Sequence, residues 1–401
     1  MAELNETPRG NRIHIAFFGL RNAGKSTLVN AFTGQQIAIV SDVPGTTTDP
    51  VSKAMEILPL GPCLVTDTAG LDDVGGLGEM RVEKTLKVLE TTDIAVWVDG
   101  LVGTTENAEK RKDFFTACKQ LNVTVIEYRR GDDVEELKRK IAAVKLDEKV
   151  PGLLDGLVKK GDRVLCVVPI DESAPKGRLI LPQQQVIREC LDKGVVCTIC
   201  QPEELFEFLS WGVFGLRGRL LIVTDSQAFG VVRDVLADVN FVKDGMSSEQ
   251  QTSRPTGQGW MLTSFSVLFA RQKGDLAEYV KGLAAIKSLK DGDTVLVAEG
   301  CTHHRQCNDI GAVKIPKALE KLSGKKLKFE FASGGGFPMD RTLDARPKTA
   351  LVVHCGGCML TRREMLRRIA LAKEAGVPIV NYGLVLAMAN GIDIPSLFPV
   401  P

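Results

Sequence analysis

The sequence predicts an α/β protein of three α/β domains, at residues 1–148, 149–255 and 256–401, the last two being smaller parallel-sheet domains. Three observations carry that reading. Short apolar runs alternate with helical stretches along the chain, the pattern of parallel strands joined by crossover helices. The breaks at Pro151-Gly152 and in the polar run Lys243–Gly259 divide the 401 residues into pieces of ordinary domain size. The first strand runs into a glycine-bearing turn and then a helix, the setting in which a phosphate-binding loop is meaningful.

In the first segment, Ile13–Phe18 reads as a buried strand and Thr27–Phe32 as a helix. Between them, Gly19-Leu20-Arg21-Asn22-Ala23-Gly24-Lys25-Ser26 fits G-x-x-x-x-G-K-S. Its glycines let backbone N–H groups wrap phosphates, Lys25 brings positive charge to the β and γ phosphates, and the Ser26 hydroxyl suits Mg²⁺. With Ala23 and Thr27 these residues make up the nucleotide cradle. Downstream, Cys63–Thr66 ends a strand, and Asp67-Thr68-Ala69-Gly70 follows. Asp67 is expected to hold Mg²⁺ through water, and the Gly70 N–H to sense the γ-phosphate. Between the motifs, Ser41–Asp49 is a polar, switch-like loop carrying Gly45-Thr46-Thr47.

These motifs resemble the TrmE–Era–EngA-like GTPases, on Gly19-x-x-Asn22-x-Gly24-Lys25-Ser26 and Gly45-Thr46-Thr47. The resemblance implies an N-terminal P-loop GTPase fold binding GTP and Mg²⁺. It makes Thr47, beside Thr46, the switch threonine on Mg²⁺, and it makes Asn22 a K⁺ ligand. Leu71 stands where Ras-like proteins place a water-orienting glutamine. One departure concerns the base. After the strand Val123–Tyr128, where N-K-x-D reads guanine, the chain has Arg129-Arg130-Gly131-Asp132 and enters a helix at Val134–Val144. Only Asp132 keeps the pattern, so preference for GTP over ATP is open.

The middle segment alternates strands at Arg163–Ile170, Val195–Cys200 and Leu220–Thr224 with helices at Gln183–Asp192, Glu203–Ser210 and Phe229–Val239. Cys197 and Cys200 sit three apart in a strand and so face opposite ways. They read as core, and the segment as structural or associative.

In the last segment, strands are expected at Thr294–Ala298, Leu327–Phe331, Ala350–Val353 and Pro378–Val380, and helices at Leu276–Leu289, Pro316–Leu322, Arg362–Ala375 and Leu384–Ala389. Gly300-Cys301-Thr302-His303-His304 follows the first of these strands, and His354-Cys355-Gly356-Gly357-Cys358 follows the third. In parallel sheets, ligands bind beyond the carboxyl ends of strands. Cysteine is a common core residue, but two paired segments with histidines beside both go beyond packing. Cys301, His303, His354, Cys355 and Cys358 are the candidate metal ligands, and their spacing suits zinc or iron–sulfur chemistry. Cys358 is expected to open the following helix, whose N-terminus favours an anionic thiolate or cluster. Cys307 is a spare thiol.

The pairing of C-x-H with a distant H-C-x-x-C resembles the family of FeFe-hydrogenase maturation GTPases, and the likeness covers the whole chain. It implies a GTPase domain, a middle dimerisation domain giving a homodimer, and an iron–sulfur domain. It further implies a 4Fe–4S cluster on Cys301, Cys355 and Cys358, whose fourth iron takes an exchangeable ligand from among His303, His354 and Glu299. The implied role is a GTP-hydrolysing scaffold that carries a diiron precursor, made by radical-SAM maturases, to apo-FeFe-hydrogenase. The alternative is a tRNA-modification-type or regulatory GTPase with structural zinc. No C-x-x-x-C-x-x-C signature appears, which argues against a radical-SAM enzyme.

Composition narrows the classes. At 44% hydrophobic and 25% charged residues the chain has material for several cores. A net charge of +1 gives no electrostatic footprint for nucleic acid. The polar Met1–Asn11 is not a secretory signal, no run is long enough for a membrane span, and ten cysteines without a signal fit the reducing cytosol.

Overall fold

Six of the seven residues of β1 (Ile13–Gly19) are buried, so this strand must lie inside a sheet covered on both faces. The computed structural model places it there, and it describes residues 7, 9–35, 50–72, 76–100, 105–146, 150–170, 179–210, 219–244, 260–300, 309–334, 337 and 349–393. After β1 come α1 (Lys25–Thr33), β2 (Val51–Ile57), β3 (Gly61–Asp67), α2 (Gly76–Glu90), β4 (Ile94–Asp99), α3 (Thr105–Gln120), β5 (Thr124–Arg129) and α4 (Val134–Ala142). The sheet order is β2-β3-β1-β4-β5, parallel except for the β2–β3 hairpin. Alternate residues of β1 serve opposite cores: Ile15 and Phe17 pack with Phe32, Val96 and Ile141, while Ala16 and Phe18 pack with Trp97 and Phe114. Residues Met1–Lys149 form one compact unit and Val150–Pro401 another.

The second unit holds two sheets. Its elements are β6 (Arg163–Val167), α5 (Leu181–Asp192), β7 (Val196–Cys200), α6 (Leu205–Ser210), β8 (Leu220–Thr224), α7 (Phe229–Asp244), β9 (Trp260–Ser264), α8 (Phe265–Lys273) and α9 (Leu276–Ala285). There follow β10 (Thr294–Ala298), α10 (Ile315–Ser323), β11 (Lys328–Ala332), β12 (Thr349–His354), α11 (Arg362–Glu374), β13 (Ile379–Asn381) and α12 (Tyr382–Ala389). The sheets read β7-β6-β8-β9 and β11-β10-β12-β13, all parallel. Each is wound the same way: the chain steps outward once, then crosses back past its first strand. The reversal lies between β6 and β8 in one sheet and between β10 and β12 in the other.

The three sheets agree with the α/β class read from the sequence. In the first unit β2, α2, β4 and α3 had no expected counterpart, and in the second unit two elements escape the pattern. β9 joins the middle sheet beyond residue 256, where the last segment was expected to begin, and α8 follows it directly with Ser264 as its cap. A single apolar core runs from one face of the middle sheet (Val164, Cys166, Leu221, Val223) through α8 to the last sheet (Val295, Val297, Leu351, Val353). Cys197 packs against that core and Cys200 belongs to the core on the opposite face, as their spacing requires. No described helix is long and apolar enough to cross a membrane.

α9 is seated on β13 through Gly282, where a Cβ would lie 2.0 Å from the Ile379 carbonyl oxygen. Ala is the better helix former by about 1 kcal/mol, but backbone cannot yield 1 Å without unseating the helix. Gly282→Ala is therefore expected to destabilise the second unit by about 2 kcal/mol or more. Urea unfolding checks this, and an equal or raised midpoint would show that α9 does not rest on β13.

Candidate nucleotide and thiol sites

The first site is built where β1 hands over to α1. Gly24 takes a φ of 93° before the helix, a region that costs glycine little. Lys25 is 7% exposed, and its ammonium donates to the Gly19 and Leu20 carbonyls at 3.2 and 2.8 Å. Asn22 is exposed in a left-handed conformation with φ 60°. Ser26 Oγ donates to Asp67 Oδ2 at 2.6 Å. Asp67 is fully buried, and its Oδ1 has no hydrogen-bond partner among the described residues. Burial pushes the Asp67 carboxyl up, against the pull of Ser26 and Lys25. A buried carboxylate oxygen with nothing to bond, beside a serine hydroxyl, is a donor pair for a hard cation, and it fits the expected Mg²⁺.

The turn after β3 lies directly on the loop. Leu71 N–H donates to the Gly19 carbonyl at 3.3 Å, and Asp72 Oδ1 accepts from Arg21 N–H at 2.5 Å. The Gly70 backbone is thus held beside the phosphate loop, where a γ-phosphate would meet it. Asp132, the one remnant of the base-reading pattern, accepts from Arg129 N–H at 3.0 Å, and Tyr128 Oη donates to its carbonyl. That carboxylate closes its own turn. Thr46, Thr47 and the rest of Ser41–Asp49 lie outside the described residues.

The second site sits at the reversal point of the last sheet. Glu299 and Gly300 leave β10, and His354 and Cys355 leave β12. Cys355 N–H donates to the Ala298 carbonyl at 2.9 Å. Cys355 Sγ accepts from Gly300 N–H at 3.2 Å and from Gly357 N–H at 3.4 Å. One thiol is thus tied to the backbone leading into Cys301, and two N–H donors stand ready for its negative charge. Gly357 takes φ 64° to make the turn. Cys355 and Cys358 are half-buried; burial raises the Cys358 thiol while Lys273 opposes it. Lys273 is 3% exposed, and burial lowers its ammonium to about 8.

His354 corrects an expectation. It was a candidate ligand, yet it is fully buried and both ring nitrogens are engaged. Nδ1 meets the Cys355 carbonyl at 2.8 Å, and Nε2 accepts from Arg368 at 3.0 Å. Since an arginine only donates, Nε2 carries the lone pair and Nδ1 the proton. Arg368, itself 1% exposed, also donates to Glu364 at 2.8 Å and to the Gly334 carbonyl at 2.9 Å. His354 is therefore a strut between Arg368 and the Cys355 backbone. Cys358 is corrected too: α11 begins at Arg362 behind its cap Thr361, so the thiol precedes the helix instead of opening it. Glu299 is 5% exposed, with its carboxylate close to Gly311. Cys301, His303, His304 and Cys307 lie outside the described residues, and among those described no group of three or more His, Cys, Asp or Glu is placed to hold a metal.

Sequence reasoning missed Lys273, Arg368 and Tyr279, whose hydroxyl is fully buried with no hydrogen-bond partner among the described residues. Lys273 reads as a solvated lysine at a helix end, and Arg368 as one of a row of basic residues on α11. No local signal marks either as buried.

Comparison with known proteins follows the same division. Residues 277–396 match the profile of the hydrogen maturase F tetramerization domain, 153–274 that of the hydrogen maturase F dimerization domain, and 14–140 that of the 50S ribosome-binding GTPase. GTPase Der of Wolinella succinogenes is 41% identical over 99 residues, 24% of this chain and 20% of that protein. The tRNA modification GTPase MnmE of Zymomonas mobilis is 30% identical over 182 residues, 45% of this chain and 38% of that protein. The chain thus spans less than half the length of these two relatives. Among solved structures, Aquifex aeolicus Era bound to GDP·AlF4⁻ matches 80% of this chain and 93% of its own at 17% identity and a TM-score of 0.26, too low to add to the topology already described. The first unit carries a P-loop GTPase domain.

The buried His354 generates a pH prediction. Burial, with Arg368 adding, lowers it from 6.5 to about 3. Below pH 6.5 the unfolded chain binds this proton and the folded chain does not, so stability falls as pH falls. At pH 5.5 the loss is about 1.4 kcal/mol. Urea unfolding of the metal-free protein between pH 7 and 5.5 is expected to cost wild type about that much more than His354→Asn. Parallel losses would mean that His354 is protonated in the fold.

Proposed function

The chain belongs to the hydrogen maturase F family, and from that premise we propose that it is a GTP-hydrolysing scaffold that binds a 4Fe–4S cluster and delivers a diiron precursor to apo-FeFe-hydrogenase. The observation that supports it most is the bond from Gly300 N–H to Cys355 Sγ. It ties together, at a sheet reversal point, the two motif segments that would have to share a cluster.

In the nucleotide site, Lys25 would leave its loop carbonyls for the β and γ phosphates of GTP. Ser26, Thr47 and Asp67 would hold Mg²⁺, the orphaned Asp67 oxygen finding its partner in the metal's water. Gly70 N–H would report the γ-phosphate, and Asn22 would hold K⁺. Gly19, Ala23, Gly24, Thr27 and Thr46 complete the cradle. In the thiol site, Cys301, Cys355 and Cys358 would hold the cluster, and Gly300 and Gly357 N–H groups would neutralise part of its charge. The fourth position falls to His303, Glu299 or an exogenous ligand, His354 being committed elsewhere. A cluster held there by three thiolates would supply an exchangeable ligand position, the chemistry that a carrier of a diiron precursor requires. The three-part division (GTP, homodimerisation, cluster), with the second boundary moved from 255/256 to beyond β9 and α8, radical-SAM maturases as suppliers and a cytosolic location complete the proposal, with no role for nucleic acid or membrane.

Crossed variants test it. Lys25→Ala is expected to abolish hydrolysis yet keep iron and sulfide after anaerobic reconstitution, and Cys355→Ser to do the reverse. Zinc in place of iron in wild type would sink the cluster. Turnover is expected at about 10⁻⁴ to 10⁻³ per second, in the range of unassisted P-loop GTPases, faster in K⁺ than in Na⁺. With Asp132 tied to its own turn, ATP is expected to compete measurably for hydrolysis; a complete lack of competition would place guanine recognition elsewhere.

A further inference from the structure

Lys273 is the last residue of α8, and α8 belongs to the segment matched as the dimerization domain, residues 153–274. Its ammonium nevertheless ends inside the turn of the following domain. It donates to the carbonyls of Gly357 at 3.4 Å, Cys358 at 3.0 Å and Leu360 at 2.7 Å. Three carbonyls from one four-residue stretch converge on one cation that is 3% exposed. A second latch flanks it: Arg362, at the start of α11, donates to the carbonyls of Gln272 at 2.5 Å and Gly274 at 3.4 Å. At the other end of α8, Ser266 stands against Gly356. The helix therefore underlies the whole Cys355–Cys358 turn. The ammonium and the two thiols also lie within electrostatic reach of one another.

A buried ammonium is costly unless fully bonded. Surface packing would have been satisfied by Leu or Met at this place. The carbonyls account for the hydrogen bonds but not for the charge. Among the described residues facing it, the Phe269 ring offers only its π face, and the groups able to carry a full negative charge are the two thiols. Their thiolate forms are what a bound iron–sulfur cluster requires.

We propose that Lys273 is a positioning residue and counter-charge for the thiol site: reaching in from the dimerization segment, it shapes the 355–360 turn and offsets the negative charge of a cluster held by Cys355 and Cys358. The proposal rests on the cluster reading above but adds a residue outside the cysteine motifs. It also makes cluster affinity depend on the seating of α8.

Four measurements test it. In metal-free protein, hydrogen exchange at the amides of 356–360 is expected to quicken about tenfold in Lys273→Met, the effect of losing one charge-assisted bond. After identical anaerobic reconstitution, iron and sulfide per chain are expected to fall, and the remaining cluster to have a more negative reduction potential. Lys273→Gln keeps donors but no charge. It is expected to restore slow exchange and leave the potential shifted. If Gln restores both, the residue is structural only and the counter-charge fails. If Met matches wild type in exchange, loading and potential, the whole proposal falls. Should Met not fold, Gln decides, and wild type offers a variant-free arm. There, acetic anhydride is expected to spare Lys273 and modify exposed Lys281; equal acylation would show that the carbonyl cradle does not exist. If wild type takes up no cluster at all, the cluster reading fails, while exchange and acylation still judge the turn.

Discussion

Arg368 buries a whole guanidinium inside the second unit, and much of the thiol site is arranged to satisfy it. An isolated buried charge is far too costly for a marginally stable fold. Here the Glu364 carboxylate, one helical turn back, supplies the opposite charge. The Gly334 carbonyl and the His354 ring supply the remaining acceptors, and the guanidinium carbon sits over the Phe337 ring, 5.3 Å from its centre. Those partners come from α11, from the end of β11 and from the end of β12. One cation thus ties a helix and the ends of two strands together at the carboxyl edge of one sheet, which is the edge that presents the cysteines. Removing any partner would leave the others buried and unpaired, so the arrangement resists small rearrangements.

The two sites solve opposite electrostatic problems. Around Asp67 the fold leaves a buried anionic oxygen without a partner, with a hydroxyl on the other oxygen and a lysine nearby. Around Cys355 and Cys358 it collects donors and a cation: two N–H groups on one sulfur, and Lys273 beneath the turn. The first calls for a metal cation, the second for an anion. Those are the signs of the divalent ion and of the cluster proposed above, and each site lies in its own compact unit.

Much of the fold was legible because it rests on local pattern. Strands such as Thr294–Ala298 are buried throughout, and apolar after the threonine, since both faces of a parallel sheet are covered. The phosphate loop was legible because its glycines, lysine and serine are needed at fixed spacing. What escaped was set by tertiary context. β9 and α8 follow one another with no turn residues between them, so no punctuation separates strand from helix. Lys273 and Arg368 have the sequence neighbourhood of solvated helix residues, and only the fold shows that loops close over them. His354 misled for a related reason: a histidine beside two cysteines reads as a ligand, and nothing in the spacing reveals that an arginine fourteen residues on claims its free nitrogen.

The repeated winding of the two sheets in the second unit has a consequence for how that unit works. Each sheet opens a crevice where its chain reverses, but only the last one carries thiols there. At the corresponding edge of the middle sheet, Ser226, two residues past the end of β8, and Ser264, the last residue of β9, bond one another through their hydroxyls at 2.8 Å. Ser264 then caps α8, the helix that runs beneath the Cys355–Cys358 turn. Residue by residue, the middle sheet's reversal edge leads through Ser264, Ser266 and Lys273 to the thiols. The middle sheet thus bears on the thiol site: its edge sets where α8 starts, and α8 sets the floor of that site. A shared apolar core makes the two sheets one mechanical body. Any change that moves β9 against its neighbours must therefore be felt at the turn that presents Cys355 and Cys358, whereas the same change in a freely hinged domain would be absorbed by the linker.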